Sequence, residues 1–457
     1  MSRKLPANAP SPAEQQAAMK HVAEATKQAW KVPGVPKDMK LIPIKKVGVI
    51  GAGTMGGGIA MNFVNVGIPV TILEIKQEFL DRGIAVIKKN YDITASRGRI
   101  TTDDVAKRMS LISGTTNYAD LGDVDMVIEA VYESMEVKKE VFKKLDAVIK
   151  PGAILGTNTS ALDIDEIASV TKRPEFVIGL HFFSPANVMK LLEIVVAYKT
   201  SLQVTATSMH IAQVINKVAV LCKVCPGFVG NRILYTRQRE AFKLVFEGAL
   251  PWQIDNVLYS FGFPMGPFAM ADLVGLDVGW NPATSRGETM RERLCEAGRK
   301  GQKTGSGWYE YDEKRKGRPS KLVEEMIVKF NKEKGAPPPR KFSDQEILER
   351  LLFPMINEAA KILEEKVAIR PSDIDVIYIN GYGFPGVRGG PCFYADQIGL
   401  ARVLARLQEW TTPSTPEFTP SALLVKMVRE GKKFADLGDV QGWEKPMPPR
   451  GQVGASL

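Results

Sequence analysis

Histidine is scarce, with three residues among 457, and cysteine numbers four. Cys222 and Cys225 make one CxxC, but Cys295 and Cys392 stand far from it and from each other. That set lacks the paired spacing of a zinc site and the density of a disulfide framework. No metal is expected, and the thiols should be reduced and part-buried. Long apolar runs are missing too. Nothing approaches the roughly 18–20 consecutive apolar residues that cross a bilayer, which argues against membrane insertion and for a soluble protein. The first residues carry little acid and some Arg and Lys, yet no apolar signal core follows them. The one bias is charge, at a net +10. The basic residues are scattered, however, and form no RNP, zinc-finger or basic-zipper pattern, so nucleic acid is not the expected partner. A small molecule carrying several phosphates suits a basic balance equally well.

Hydrophobic residues make up 44% and charged residues 25% of the chain, the proportions of a globular protein. The length suggests two to four domains. The stretch at 47–60 organises the first of them. Val47, Val49 and Ile50 lead into Gly51-x-Gly53-x-x-Gly56, and Ile59, Phe63 and Val66 then keep helical spacing until Gly67. That is strand, tight turn, helix. Gly51 permits the turn, Gly53 lets the backbone approach a pyrophosphate, and Gly56 lets helix and strand pack closely. The helix N-terminus, with Thr54 and Met55 in its first turn, offers N–H groups to phosphate. A second strand, 69–74, ends on Glu74, 18 residues past Gly56. An acid there suits the ribose hydroxyls of NAD and repels the extra phosphate of NADP, although Lys76 close behind works the other way.

Residues 1–45 are Pro- and Ala-rich, with a helical stretch at 13–30 followed by Pro33, Pro36 and Pro43 as a linker. Candidate strands lie at 46–50, 69–74, 124–131, 153–157, 176–181, 191–197 and 218–222, with helices at 77–97, 103–111 and 135–149. This alternation predicts a parallel, doubly wound α/β sheet of Rossmann type with helices on both faces. After Pro226 the pattern becomes helical, at 232–247, 252–259 and 320–334, and 334–340 reads as a linker. A last helical block opens with Ser343 as N-cap and Glu346 at the capping-box position. It repeats the one before it. The stretches beginning at Ile254, Gly262 and Asp272 recur at Ile374, Gly383 and Asp396, with an offset growing from 120 to 124 residues. The expected division is therefore 1–45, an N-terminal helix and linker; 46–224, dinucleotide-binding; and 225–338 and 339–457, two copies of one all-α domain packed on each other.

Ligands of open parallel sheets bind beyond the carboxyl ends of the strands. Polar residues gather there: Glu133 after the strand that ends in Ala130 and Val131, Lys138 one helical turn on, and Asn158 and Ser160 after 153–157. His181 follows 176–180 and is the only histidine so placed. His21 and His210 fall within helices and read as surface or packing residues. An imidazole, with an ordinary pKa near neutrality, can take a hydroxyl proton while hydride leaves the same carbon for a nicotinamide. Such a base works best beside a carboxylate that fixes its tautomer. Glu193, between apolar neighbours on what should be an adjacent strand, needs a partner, and His181 is the natural one. Asn231, at a helix start after Pro226-Gly-Phe-Val, is placed to face the same cleft.

These residues carry a resemblance. GAGTMG at 51–56, NTS at 158–160, HFFSP at 181–185 with MKLLE at 189–193, PGFVGNR at 226–232, GPFAMADLVGLD at 266–277 and KTGSGWY at 303–309 resemble the L-3-hydroxyacyl-CoA dehydrogenases, in the family's order and spacing across about 46–440. The tandem helical repeat is similar to the dehydrogenase part of the multifunctional β-oxidation proteins. Residues 1–45 are similar to the linker helix after the hydratase domain of those proteins, a domain not expected in this chain. The resemblance implies an NAD-dependent (3S)-3-hydroxyacyl-CoA dehydrogenase of fatty-acid β-oxidation, acting on acyl-CoA. His181 would be the base and Glu193 its partner, with Ser160 and Asn231 bonding the reacting oxygen or the histidine. NAD would meet Gly51, Gly53, Thr54, Met55, Gly56, Glu74, Ala130, Val131, Asn158 and Ser160, with Glu133 and Lys138 on the nicotinamide side. Ser184 departs from the Asn of many relatives, which touches one nicotinamide contact.

Single-copy relatives dimerise through their helical domain, so two copies imply a monomer, or one subunit of a β-oxidation assembly. Asn231 falls opposite Leu351 at the offset of 120, with no Pro-Gly-Phe before it, so chemistry is expected at the first copy and scaffolding from the second. Arg82, Lys88, Lys89, Arg97 and Arg99 form either a contact for the phosphates of CoA or a solvated helix face. The cytoplasm, if the source is prokaryotic, or the peroxisomal matrix, if eukaryotic, is the expected compartment. The C-terminal GASL shares only its last residue with a peroxisomal tripeptide. Two rivals remain. A dehydrogenase of a 3-hydroxy acid without CoA usually offers a lysine as base, and a nucleotide-binding sensor would not need His181, Glu193, Ser160 and Asn231 intact.

Overall fold

The computed structural model describes residues 9–443 apart from Lys37 and Ser414; the C-terminal GASL lies outside them. The described chain divides into two compact units. One takes in 20–232, 359–382 and the residues from 429 onward; the other takes in the residues up to 19, 233–358 and 383–428.

The first unit is built on an eight-stranded sheet. Its strands are β1 (Val47–Ile50), β2 (Val70–Leu73), β3 (Ile112–Thr115), β4 (Met126–Glu129), β5 (Ile154–Thr157), β6 (Val177–Phe182), β7 (Leu191–Val196) and β8 (Val218–Lys223), in the spatial order β3-β2-β1-β4-β5-β6-β7-β8. The helices along this stretch are α1 (Pro12–Ala29), α2 (Thr54–Val64), α3 (Gln77–Ser96), α4 (Thr102–Ser110), α5 (Met135–Val148), α6 (Ile164–Ala168) and α7 (Leu202–Val214). Most strands are buried along their whole length, as strands covered on both faces must be. Ile178, Leu180 and Phe182 join the core cluster that contains Ile59 and Phe63 of α2 and Ile211 of α7. The alternate residues of the same strand point the other way. A side chain at Gly179 would meet Ile164 of α6 at 2.3 Å. His181 shares that second face, and so does Glu193 of β7.

Two features depart from the expected sheet. β3 is not among the expected strands, because an edge strand of sequence ISGT has its middle residues exposed and gives no apolar run. The sheet is also not wholly parallel, since β7 runs antiparallel to β6, and β8 is parallel to β7. Only residues 183–190 join β6 to β7. A parallel crossover needs about a dozen residues or more, so the chain has to turn straight back.

The remaining helices are α8 (Gly230–Phe246), α9 (Pro251–Phe261), α10 (Pro267–Val274), α11 (Met290–Glu296), α12 (Lys321–Glu333), α13 (Asp344–Glu364), α14 (Pro371–Gly381), α15 (Pro391–Ile398), α16 (Leu400–Trp410) and α17 (Ala422–Arg429). The repeat is visible in their starts. Pro251 and Pro371 open α9 and α14, and Pro267 and Pro391 open α10 and α15, where a missing N–H costs nothing. At α13 half of the expected capping box forms: Ser343 accepts from the Glu346 N–H, while the Glu346 carboxylate binds Arg340 instead. The first copy also holds a short antiparallel pair, β9 (Tyr309–Tyr311) and β10 (Gly317–Pro319), where only helices were expected. The Tyr309 and Tyr311 hydroxyls anchor it by donating to the buried carboxylates of Asp255 and Asp272. α14 belongs to the sheet unit and packs on β7 and β8. A side chain at Gly381 would strike Leu191, so α14 covers the face that carries Glu193.

Candidate active site

The glycine turn has the geometry its motif requires. Gly51 sits at φ +100°, and a Cβ there would lie 2.8 Å from the Ala130 carbonyl; a Cβ on Gly56 would lie 1.9 Å from the Gly51 carbonyl. Gly53 meets nothing within 4 Å, so its backbone faces open space. No side chain caps α2, leaving its first N–H groups for an anion. A cavity of about 760 Å³ opens there, lined by Gly53, Thr54, Glu74, Arg82, Asn90 and Asn187 among others. The Glu74 carboxylate accepts from the Ala52 and Ile75 N–H groups, which places it on the turn itself. A pyrophosphate-bearing dinucleotide fits these residues. Arg82 and Lys88 are engaged by Glu78 and Asp92 one turn away on α3, as on a solvated helix face.

The ends of β4 and β5 are joined by charge. Glu129 is buried, and its carboxylate accepts from the Lys138 ammonium at 2.7 Å, the Thr157 hydroxyl at 2.6 Å and the Val131 N–H at 2.8 Å. Lys138 also reaches Glu133 at 3.2 Å. Glu133 accepts from the Thr159 hydroxyl and the Ser160 N–H, both at 2.7 Å, and from the Ser160 hydroxyl at 3.1 Å. Burial alone would raise the Glu133 carboxyl, but the Thr159 hydroxyl, the Lys138 ammonium and the Ser160 N–H together hold it below the ordinary carboxylate range. Lys138 is thus not on the wall of the site as expected. It lies beneath it, 1% exposed, where the attraction of two carboxylates offsets its desolvation. Asn158 ties β5 to β6 by accepting from the Phe182 N–H at 2.8 Å.

On the second face of the sheet, antiparallel register sets His181 directly opposite Glu193. Their Nδ1 and Oε2 are 2.8 Å apart, and the two residues are 5% and 0% exposed. Nε2 has no hydrogen bond to protein among the described residues. The other Glu193 oxygen accepts the Gly230 N–H at 2.9 Å, at the start of α8. The turn before α8 brings Phe228 against the imidazole, with ring centroids 5.7 Å apart, through left-handed backbone at Gly227 and Phe228. Phe183 covers the ring from another side at 4.4 Å. One residue past Gly230, the Asn231 amide donates to the Ser160 carbonyl at 3.3 Å. His181 is bonded to Glu193 and Asn231 to Ser160; Gly230, next to Asn231, joins the two pairs through Glu193, and Ser160 links them to Glu133. Ser184 lies exposed two residues past β6. The other two histidines stand apart: His210 is exposed on α7, and His21 is bonded to Asp375 at 2.8 Å.

Three members were not singled out from sequence. Glu129 and Thr159 belong to the charged layer under the site, and a carboxylate inside the apolar run 127–131 was the available signal for Glu129. The third is Tyr382. Its hydroxyl donates to Asn231 Oδ1 at 2.8 Å, so the second helical copy, expected to be scaffold alone, enters the site. No local pattern announces that contact.

Comparison with known proteins finds related sequences and related folds. Residues 46–225 match the family described as 3-hydroxyacyl-CoA dehydrogenase, NAD binding domain, and 227–311 and 347–439 match 3-hydroxyacyl-CoA dehydrogenase, C-terminal domain. The peroxisomal bifunctional enzyme of Homo sapiens is 42% identical over 435 residues, 90% of this chain and 60% of its own length. The peroxisomal fatty acid beta-oxidation multifunctional protein of Oryza sativa subsp. japonica is 39% identical over 421 residues, 89% of this chain and 58% of its own. The chain thus spans about 60% of the length of such relatives. Among solved structures, 3-hydroxybutyryl-CoA dehydrogenase from Escherichia coli K12 matches with a TM-score of 0.72 at 27% identity, covering 85% of this chain and 99% of that one. The dehydrogenase part of multifunctional enzyme 1 from C. elegans matches with a TM-score of 0.66 at 30% identity, covering 91% and 97%.

Proposed function

The chain belongs to the 3-hydroxyacyl-CoA dehydrogenase family, and from that premise we propose that it is an NAD-dependent (3S)-3-hydroxyacyl-CoA dehydrogenase of fatty-acid β-oxidation with His181 and Glu193 as its catalytic pair. The observation that carries this reading is the buried 2.8 Å contact between Nδ1 and Oε2. It leaves Nε2 as the basic atom, in the tautomer that can accept a proton. In the oxidative direction His181 Nε2 takes the hydroxyl proton of the 3-hydroxyacyl group as the carbon–oxygen double bond forms. NAD, when bound, supplies the hydride acceptor. Glu193 steadies the imidazolium that results. The free N–H of the Asn231 amide serves the reacting oxygen, and the Glu133–Lys138–Glu129 layer holds the Ser160 loop beneath it. Gly51, Gly53 and Gly56 with the start of α2 hold the pyrophosphate, and Glu74 favours a ribose with free hydroxyls. Ala130, Val131 and Asn158 border the cofactor at the strand ends.

The same reading makes the chain a monomer, since it carries both copies of its helical domain. Its division at 45, 224 and 338 is proposed beside the segments that the family matches, 46–225, 227–311 and 347–439, whereas the compact units group the chain otherwise, with 359–382 in the sheet unit. Because the cited curated relatives are named as peroxisomal, the peroxisomal matrix is the proposed compartment in a eukaryotic cell and the cytoplasm in a prokaryotic one. Loss of NADH absorbance with acetoacetyl-CoA and longer 3-oxoacyl-CoA substrates tests the activity. His181→Gln should lower kcat by about 10²–10⁴-fold without weakening NADH binding. A folded wild type that binds NADH and reduces none of these substrates would sink the proposal.

A further inference from the structure

Asn231 has an amide whose two ends are told apart by its neighbours. The Ser160 carbonyl can only accept, so the atom 3.3 Å from it is the amide nitrogen. The oxygen therefore faces Tyr382, whose hydroxyl is the donor at 2.8 Å. One N–H of Asn231 goes to Ser160, and the second has no protein acceptor among the described residues. Tyr382 is itself held on several sides. Its ring stacks on Tyr378 at 4.9 Å and 20°, and it meets Phe183 edge-on at 5.4 Å, the same Phe183 that lies against His181. Tyr378 is buried and donates to the Gly230 carbonyl at 3.0 Å. A side chain at Gly230 would come within 2.3 Å of the Tyr382 ring, so the start of α8 is shaped to receive it. Both tyrosines come from α14 and the residue that ends it, in the second helical copy.

We propose that Tyr382 is a positioning residue of the active site, supplied by the second copy to hold the Asn231 amide with its second N–H turned toward the reacting oxygen. This rests on the reading of Asn231 given above. Without the hydroxyl only the 3.3 Å contact with the Ser160 carbonyl still orders the amide, and a rotated amide presents its oxygen, which repels the developing negative charge on the substrate oxygen. The second copy is then part of the catalytic apparatus through Asn231.

Tyr382→Phe, Asn231→Ala and the double variant test this in the full chain, by kcat and KM for acetoacetyl-CoA, NADH affinity by fluorescence, and Tm. Phe keeps the ring contacts and removes one hydrogen bond, so kcat should fall roughly five- to tenfold with KM, NADH affinity and Tm nearly unchanged. Asn231→Ala should fall further, and the double variant should be no worse than Asn231→Ala alone. A Tyr382→Phe enzyme with wild-type kcat, beside an impaired Asn231→Ala, overturns the proposal and leaves the site reading intact. So does an equal loss from Tyr382→Phe when Asn231→Ala is already present. An unimpaired Asn231→Ala removes the role of Asn231 and this inference together, while the His181 reading stands or falls on its own variant.

Discussion

Glu193 holds two structures together with one carboxylate. One oxygen binds His181 Nδ1 and the other accepts the Gly230 N–H, so the proposed base and the helix start are positioned by the same side chain. Glu193→Gln keeps the acceptor for Gly230 but loses the charge opposite the imidazole. It should lower kcat by about a hundredfold or more while NADH affinity and Tm change little, by steady-state kinetics and fluorescence titration. A loss of NADH binding equal to the loss of kcat would mean that Glu193 serves structure alone. The signal that exposed Glu193 was a carboxylate in an apolar strand. Glu129 gives the same signal and is also buried and paired, here with Lys138. Removing one partner of such a pair typically costs about 3–5 kcal/mol, because the other charge is left buried alone.

The glycine turn joins β1 and α2, and its glycines do different work. Gly56 is packed against the Gly51 carbonyl, whereas Gly53 faces open space. Gly56→Ala should therefore destabilise the protein by about 1–3 kcal/mol, as overpacking does. Gly53→Ala should change stability by less than about 1 kcal/mol, the usual scale at a helix N-cap, yet weaken NADH binding. Thermal unfolding and NADH fluorescence on both variants separate the two; matched losses of stability would contradict the assignment. The β6–β7 pair belongs to this scale as well. Its reversal was missed in the expectation of a parallel sheet, although the nine residues between the expected strands 176–181 and 191–197 are too few for a crossover, and the apolar pattern of the strands carries no direction.

Across the molecule one helical design is used twice with different partners. Asp255 of α9 accepts from the Phe268 and Ala269 N–H groups and from Tyr309, and burial pushes its carboxyl up to about 6. Its counterpart Asp375 in α14 pairs with His21 of α1. At these matched positions each copy keeps a carboxylate with a side-chain partner, Tyr309 for Asp255 and His21 for Asp375. For the monomer proposed above, light scattering after size exclusion should return the 50.3 kDa mass of one chain. A mass of twice that value, independent of dilution, would overturn it.

Periodicity and glycine spacing, both properties of neighbouring residues, were enough to determine the strand–turn–helix at 47–64 and most sheet strands; recurring stretches exposed the tandem repeat, and a carboxylate in an apolar strand pointed to the meeting of His181 with Glu193. Those features follow from local sterics and from the cost of an unpaired carboxylate in an apolar strand. Only the tertiary structure decided what depends on residues far apart in the chain. It buried Lys138 under the site between two carboxylates, left β3 as an edge strand without an apolar signature, and brought Tyr382 to an amide 151 residues earlier. A hydrogen bond between distant residues leaves no period to read. It exists because α14 packs on β7 and β8, and packing of that kind is set by the whole fold.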